Sequence, residues 1–402
     1  MNPLGLYLSI PFCRAKCTFC NFASEAFAPA LLRPYIDRLT AEIASAHTRS
    51  LALGTCLPAE VDTLYFGGGT PSLLAPAHIR QVFTALRNQF RISPDAEITV
   101  ECAPGQLSPS TLEELQRHGV NRLSFGVQSL VDREAAAVGR LHTAAQTLAE
   151  IHRVRSAGIP NLSLDLIAGL PHQTESSWRH SVEQAIDTGV PHISVYMLEI
   201  DQDSRLGDEV LAGGPRYGAP TVPCDDDSAS SYELACNLLE AAGILQYEIS
   251  NFAQPGLQSA HNWKYWTRQP YLGLGLDAHS MLPTPTGAVR FSNTGDLDTY
   301  LESPAPSALP LLRITPAAHQ VTPDEALEEA VFLGLRLNQG ISLQALTAEF
   351  GQFRIAAIQP SLEEAAEDGL LALGPNRAGL TPRGRVLSNE VFSRLLLPAA
   401  AS

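Results

Sequence analysis

Short apolar and β-branched runs alternate with amphipathic stretches through the first three-fifths of the chain. The apolar runs are Leu6–Ile10, Thr63–Phe66, Glu97–Val100, Arg122–Phe125, Leu162–Ile167 and His192–Leu198. The stretches with helical periodicity are Leu31–Ala46, Ile79–Phe90, Thr111–His118, Ala144–Ala157, Ser177–Thr188 and Ser230–Ala242. Strands that alternate with helices build βαβ units, so this pattern predicts an α/β fold with a parallel sheet. Repetition of that unit predicts a partial (β/α)6 barrel of the TIM-like kind.

Unusual residues occur where the predicted strands end. Cys13 follows the first strand, and Gly67-Gly68-Gly69-Thr70-Pro71 follows the second. Glu101 closes the third strand, Gln128 follows the fourth, and Asp165 lies late in the fifth. In such barrels the chemistry gathers at the carboxyl ends of the strands. The sequence therefore predicts one functional rim.

The last quarter of the chain has a different character. Ser303–Pro316 is rich in proline and alanine, which predicts a linker. Helical stretches at Asp324–Asn338, Leu343–Phe350 and Ile355–Asp368 follow, and then two short strand-like runs. We therefore predict a barrel over residues 1–300, with an extension over about 225–300. Residues 317–398 are predicted to form a small helical, winged-helix-like C-terminal domain.

Composition excludes several classes of function. The formal net charge is -15, whereas nucleic-acid binding needs a basic surface that displaces counterions. The first residues lack a signal peptide pattern, and no uninterrupted apolar run is long enough for a membrane span. We expect a cytoplasmic protein without a nucleic-acid partner. Seven cysteines, three of them within eight residues, favour metal ligation over disulfides.

The cysteine loop is the most specific motif. Cys13, Cys17 and Cys20 follow a Cys-x3-Cys-x2-Cys spacing. Thiolates hold iron–sulfur clusters, and three of them would leave one iron of a cubane open for a small chelating ligand. A zinc knuckle is the alternative, but zinc takes four closed ligands and no fourth Cys or His stands nearby.

That spacing, placed directly after a barrel strand, resembles the radical SAM superfamily. The resemblance implies a [4Fe-4S] cluster on Cys13, Cys17 and Cys20, with S-adenosyl-L-methionine at the open iron. Proteins of that superfamily cleave this ligand to a 5′-deoxyadenosyl radical, which is chemistry of the cofactor rather than of the side chains.

The remaining rim residues suit such a ligand. A glycine triplet lets a ligand approach the backbone, and Arg140 can pair with a carboxylate. Asp165 is a charge within an apolar strand, which is rare without a partner. From Tyr7 to about Leu395, the chain resembles the family of oxygen-independent coproporphyrinogen III dehydrogenases and HemW-like haem chaperones. The resemblance implies S-adenosylmethionine contacts at Tyr7, Phe19, Gly68, Gly69, Thr70, Glu101, Gln128, Arg140 and Asp165. On residue type alone, Tyr7 and Phe19 are more typical of packing residues.

Two features separate the dehydrogenases from the chaperones. The dehydrogenases resemble Cys-x3-Cys-x2-Cys-x-Cys, whereas Phe22 stands at the position of the fourth cysteine here. They also carry a long N-terminal extension that helps to cover the substrate, and only 12 residues precede Cys13. Both features favour the chaperones.

A histidine-aromatic motif lies in the extension. His261-Asn262-Trp263-Lys264-Tyr265-Trp266 matches the His-Asn-x-x-Tyr-Trp signature of the chaperones. Histidine can ligate haem iron, and the aromatic rings offer flat apolar surface. The resemblance implies haem contacts at His261, Tyr265 and Trp266. The alternative from residue type is that the rings pack in the core and that His261 is a satisfied polar residue.

A second histidine, His279, follows the glycine-rich segment Tyr271–Asp277. It can ligate iron or form a hydrogen bond, and we expect the hydrogen bond. Family members often have glycine where Asp277 stands, so this position is expected to alter the local backbone.

The resemblance thus predicts a haem chaperone that transfers haem to acceptor proteins, including respiratory, membrane-associated ones, and it leaves a homodimer open. Oxygen-independent coproporphyrinogen III oxidation in porphyrin biosynthesis is the alternative. A radical SAM enzyme with another substrate is a third. We predict no catalytic side chain, and the question of enzymatic turnover stays open.

Overall fold

The computed structural model describes residues 2–26, 29–302 and 318–395. The predicted linker Ser303–Pro316 lies outside these ranges. A 12-stranded sheet carries most of the chain, and its first six strands are consecutive parallel neighbours. They confirm the predicted α/β fold and partial (β/α)6 barrel. These strands are β1 (Leu4–Ile10), β2 (Val61–Gly68), β3 (Ile92–Cys102), β4 (Arg122–Gln128), β5 (Asn161–Ala168) and β6 (His192–Met197).

Helices cover the sheet as the periodicity predicts. The helix Pro76–Gln89, for example, turns Ile79, Val82, Phe83 and Leu86 into the core. Nearly every residue of β1 is buried, as expected for a strand covered on both faces. The helices of this part are α1 (Pro29–Ala52), α2 (Pro76–Gln89), α3 (Pro109–Arg117), α4 (Asp132–Ala137), α5 (Ala144–Ser156), α6 (Glu175–Asp187), α7 (Arg205–Leu211) and α8 (Asp225–Ala241).

The extension adds strands at both edges of the sheet. At one edge, β7 (Leu245–Gln246) and β8 (Asn251–Ala253) continue from β6 in antiparallel pairing. Helix α9 (Ala260–Trp266) then leads to β9 (Tyr271–Leu274), which pairs parallel with β1 at the other edge. Beyond β9 lie the antiparallel strands β10 (His279–Thr284), β11 (Gly287–Ser292) and β12 (His319–Val321), and helix α10 (Leu297–Glu302) follows β11 in the chain.

Strand β9 was not predicted, because its glycines indicated a turn. Its Gly273 is needed for a different reason: a Cβ there would lie 2.2 Å from the carbonyl oxygen of His279. The close approach of β10 thus excludes any larger residue.

The C-terminal part has its own core, which includes Leu327, Val331, Leu335 and Leu362. It contains the predicted helices and a three-stranded sheet in which Arg377–Leu380 lies between Ile341–Ser342 and Leu371–Leu373. Its elements are α11 (Pro323–Arg336), β13 (Ile341–Ser342), α12 (Leu343–Phe350), α13 (Gln352–Glu367), β14 (Leu371–Leu373), β15 (Arg377–Leu380), α14 (Pro382–Val386) and α15 (Ser388–Arg394). The predicted domain limits stay a prediction.

Within the described ranges, no helix has both the length and the apolar character that crossing a membrane requires.

Candidate functional site

The cysteine loop faces a cavity of about 400 Å³ at the carboxyl ends of the barrel strands. Cys13, Cys17 and Cys20 line this space, which we call the first cavity, and all three are free thiols. Among the described residues, no three His, Cys, Asp or Glu side chains converge as one bound ion would require. The ligands of a [4Fe-4S] cluster bind separate irons and need not converge on one point.

Two polar side chains donate towards the cysteine sulfurs. The Thr70 hydroxyl lies 3.6 Å from Cys13 Sγ, and Arg140 Nη1 lies 3.3 Å from Cys17 Sγ. Burial raises the pKa of the Cys13 thiol, and both donors oppose that shift because they favour the thiolate. Arg140 Nε is buried without a hydrogen-bond partner among the described residues. A cation with a spare donor beside three thiols fits an anionic cluster and a ligand that carries a carboxylate.

The glycine loop after β2 holds the cysteine loop in place. The Gly69 N–H donates to the Ile10 carbonyl at 3.0 Å, and the Thr70 N–H donates to the Phe12 carbonyl at 2.8 Å. A Cβ on Gly69 would lie 2.8 Å from backbone atoms of both acceptor residues. Gly68 has a φ of +97°, a conformation that favours glycine. Gly69 is therefore required by its contact with Ile10 and Phe12, and Gly68 is favoured by its backbone conformation, independently of any ligand.

Two carboxyl groups line the first cavity. Glu101 accepts a hydrogen bond from the Tyr65 hydroxyl at 2.9 Å, and burial raises its pKa to about 7. Asp165 accepts from the Ser124 hydroxyl at 3.4 Å, and burial raises its pKa as well. The charge of Asp165 also disfavours ionisation of Glu101. Both groups keep acceptor capacity for ligand hydroxyls.

The structure brings nearly all of the predicted S-adenosylmethionine contacts to this cavity. Gln128 ends β4 with a φ of 72°, and such left-handed non-glycine residues concentrate at functional sites. Phe19 lines the cavity while packing against the cluster of Leu170 and Leu206. The residues placed there are Phe19, Gly68, Gly69, Thr70, Glu101, Gln128, Arg140 and Asp165.

Tyr7 lies elsewhere, in a second cavity of about 310 Å³. This space adjoins the first cavity, since Gly68 and Phe22 line both. Its walls include Tyr265, Tyr271 and Leu276, and Asp277 and His279 stand at one side. Phe22 is 65% exposed. The two cavities are therefore neighbours around an exposed aromatic ring.

His261 is buried beneath the second cavity and is fully shielded from solvent. Its Nδ1 lies 2.8 Å from the Thr63 hydroxyl, and its Nε2 lies 2.8 Å from the Tyr265 hydroxyl. Burial lowers its pKa to about 3, so the ring is neutral near pH 7. Both ring nitrogens are thus occupied in this structure.

Trp266 faces the C-terminal part of the chain. The guanidinium of Arg336, at the end of α11, lies 4.4 Å from the ring centroid. Trp266 also lines a space with Arg290, Glu329 and Phe332, away from the cysteine loop. The structure therefore does not place His261 and Trp266 in one open pocket. Tyr265 is the residue of this trio that reaches the second cavity, and the predicted haem contacts stay a prediction.

Sequence reasoning missed Tyr65 and Ser124, whose hydroxyl groups donate hydrogen bonds to Glu101 and Asp165. The signal for Tyr65 was present. Thr63, Tyr65 and Gly67 share one face of β2, because alternate residues of a strand point the same way. Polar side chains on the inner face of a barrel strand indicate a site rather than core packing.

Comparisons with known proteins agree with this geometry. A family model described as the radical SAM superfamily matches residues 7–185, and one described as the HemN C-terminal domain matches residues 321–387. The protein named heme chaperone HemW of Bacillus subtilis (strain 168) is 34% identical over 391 residues, covering 97% of this chain and 98% of that one. The protein with the same name from Escherichia coli (strain K12) is 34% identical over 402 residues, with 98% and 99% covered.

A solved structure gives the same fold. Coproporphyrinogen III oxidase (HemN) from Escherichia coli superposes with a TM-score of 0.83 at 23% identity, covering 98% of this chain and 90% of that one. With this fold, the two matching domain models and full-length relatives above 30% identity, the chain belongs to the HemW family of radical SAM proteins.

Proposed function

We propose that this chain is a haem chaperone, which binds haem and transfers it to acceptor proteins, and that it holds a [4Fe-4S] cluster and S-adenosylmethionine. One observation carries the proposal. A first cavity lined by three cysteines, Arg140 and two carboxyl groups adjoins a second cavity walled by tyrosines. The full-length relatives that bear the name heme chaperone support the same function.

In this proposal the chain's own residues bind and orient the cofactors. Cys13, Cys17 and Cys20 hold the cluster, and the spare donor of Arg140 meets the ligand carboxylate. The backbone of Gly68 to Thr70 lies against the ligand's methionine part, and Glu101 accepts from ribose hydroxyl groups. When bound, the reduced cluster supplies the electron that can cleave S-adenosylmethionine.

Haem is cargo in this proposal. Tyr265 offers ring surface within the second cavity, while His261 and Trp266 lie beside it in the same helix. The acceptors would include respiratory proteins at the membrane, which the chaperone would reach from the cytoplasm. The second copy of a homodimer would be a further partner.

Oxygen-independent coproporphyrinogen III oxidation is the second candidate, because the first cavity carries most of the residues expected for radical chemistry. Phe22 argues against the oxidation of coproporphyrinogen III by this chain. The ring occupies the position of the extra cysteine that typifies the dehydrogenases, and it is exposed where the two cavities meet.

One anaerobic experiment separates the two functions. The chain with reconstituted cluster is incubated with coproporphyrinogen III, S-adenosylmethionine and a reductant, and protoporphyrinogen IX is measured. A parallel sample is titrated with haem and mixed with an apo-acceptor. We expect stoichiometric haem binding, transfer and no turnover. Repeated porphyrinogen turnover, or failure to bind haem, would refute the chaperone function.

A further inference from the structure

His279 is an unengaged histidine at the second cavity. It begins β10, its side chain is exposed, and it lines the cavity beside Asp277. No other described residue forms a hydrogen bond with its imidazole, whereas both nitrogens of His261 are held at 2.8 Å. A metal binds a ring nitrogen that no other group already occupies. Of the two histidines near this cavity, only His279 offers one without first breaking buried hydrogen bonds.

The surroundings of His279 suit a flat aromatic ligand. Tyr7, Tyr265 and Tyr271 supply three rings to one cavity, and Tyr265 and Tyr271 pack edge to face with centroids 4.7 Å apart. Leu276 adds apolar surface to the same cavity. Aromatic side chains offer a large, rigid contact area to a macrocycle.

The exposed ring of Phe22 and the ammonium group of Lys16 lie at the edge of the second cavity. Phe22 is 65% exposed and can cover one face of a bound ligand while leaving it reachable from solvent, as cargo must be. Lys16 Nζ donates to the Phe22 carbonyl at 3.0 Å, which places a positive charge at this rim. In a chain with a net charge of -15, a local cation favours the carboxylates of haem.

We propose that haem binds in the second cavity with His279 as an axial ligand of its iron, and that His261 positions the Tyr265 ring rather than ligating the metal. This inference rests on the proposed function, because it requires the chain to bind haem. The ligation itself forms one coordination bond from a neutral imidazole nitrogen to iron and transfers no electron. Asp277, at the same rim, would then lie close to the cargo.

Haem titration of the full chain tests the assignment. We compare wild type with His279→Ala, with His261→Ala, and with His152→Ala as a control on the exposed face of α5. We expect His279→Ala to shift the Soret band and weaken binding by about tenfold or more. His152→Ala should match wild type. His261→Ala should weaken binding but keep the wild-type ligation spectrum.

Chemical rescue provides a readout that a merely structural role would not give. Removal of the ring in His279→Gly leaves room for exogenous imidazole, which should restore the wild-type haem spectrum. An unchanged spectrum in His279→Ala, or loss of the ligation signature in a folded His261→Ala alone, would overturn the assignment while leaving the chaperone function intact. If wild type binds no haem, the proposed function and this inference both fail.

Discussion

Arg140 donates from Nη1 to the sulfur of Cys17 across 3.3 Å, while its Nε has no hydrogen-bond partner among the described residues. One guanidinium therefore contacts the cysteine loop and still has an unused donor. Its third nitrogen, Nη2, donates to the carbonyl of Gly126 in β4, and this hydrogen bond fixes the orientation of the guanidinium group. An arginine held in this way is suited to a bidentate or bridging anion contact.

We expect Arg140→Met to weaken S-adenosylmethionine binding by about 10- to 100-fold, because a charged hydrogen bond contributes roughly 1.5–3 kcal/mol. Binding is measured by anaerobic titration of chains with equal iron content. Arg91→Met, which removes an exposed guanidinium far from the first cavity, serves as the control. Equal affinities in the two variants would remove Arg140 from the ligand site.

Glu101 should make stability depend on pH. Burial raises its pKa to about 7 from an ordinary value of 4.5. Between those values the folded chain holds a proton that the unfolded chain has lost, so the free energy of unfolding falls as pH rises. Glu101→Gln keeps an acceptor for Tyr65 and lacks the charge. We expect the variant to be more stable than wild type at pH 8 by on the order of 1–2 kcal/mol.

Urea denaturation of the cluster-free chain at pH 5 and pH 8 measures that difference. The difference in free energy of unfolding between Glu101→Gln and wild type should become smaller towards pH 5, because Glu101 is already protonated in the folded wild type at that pH. The same variant should bind S-adenosylmethionine less tightly, since it lacks the charged acceptor. If the difference in free energy of unfolding did not change with pH, the charge of Glu101 would not be its cause.

Gly69→Ala should release the cysteine loop. The added methyl would lie 2.8 Å from backbone atoms of Ile10 and Phe12, so the two loops must separate and lose their hydrogen bonds. We expect the variant to retain less than half of the iron after anaerobic reconstitution, measured as iron and sulfide per chain. Gly374→Ala is the matched control, because a Cβ there meets its nearest atom at 3.6 Å. Full iron retention in Gly69→Ala would contradict this account.

Asp277 adopts a φ of 55°, a left-handed backbone conformation that glycine adopts without strain. Asp277→Gly should change stability by less than about 1 kcal/mol, since relief of strain and greater chain entropy in the unfolded state offset one another. Asp277→Val should destabilise the chain by about 1–3 kcal/mol, because β-branched residues strongly disfavour this conformation. Thermal unfolding of both variants gives the comparison. If valine is tolerated as well as glycine, the backbone at residue 277 is not constrained.

The barrel could be predicted from the sequence because its signal is local. Each of the six strands is a short apolar run between amphipathic helices, and the cysteine loop follows the first of them. The rim residues from Gly68 to Asp165 could be placed together for the same reason. Parallel strands with helical crossovers send all their carboxyl ends to one edge.

The second cavity could not be predicted, because long-range pairing builds it. Strand β9 joins the sheet beside β1 across more than half of the chain, and its glycine-rich sequence is also typical of turns. His261 meets Thr63 only after α9 has packed beneath β2, so the sequence could not show that its ring nitrogens are occupied. The residue types were read correctly, but their partners depend on tertiary packing.

Helix α9 joins two parts of the molecule through adjacent side chains. Tyr265 forms part of the second cavity's wall, whereas Trp266 lies against Arg336 of the C-terminal helices. Both residues lie at the C-terminal end of this helix, next to each other in the chain, so a displacement of the Trp266 backbone also displaces Tyr265. The shape of the second cavity is therefore tied to the packing of the C-terminal helices, and neither can be altered at α9 without a change in the other.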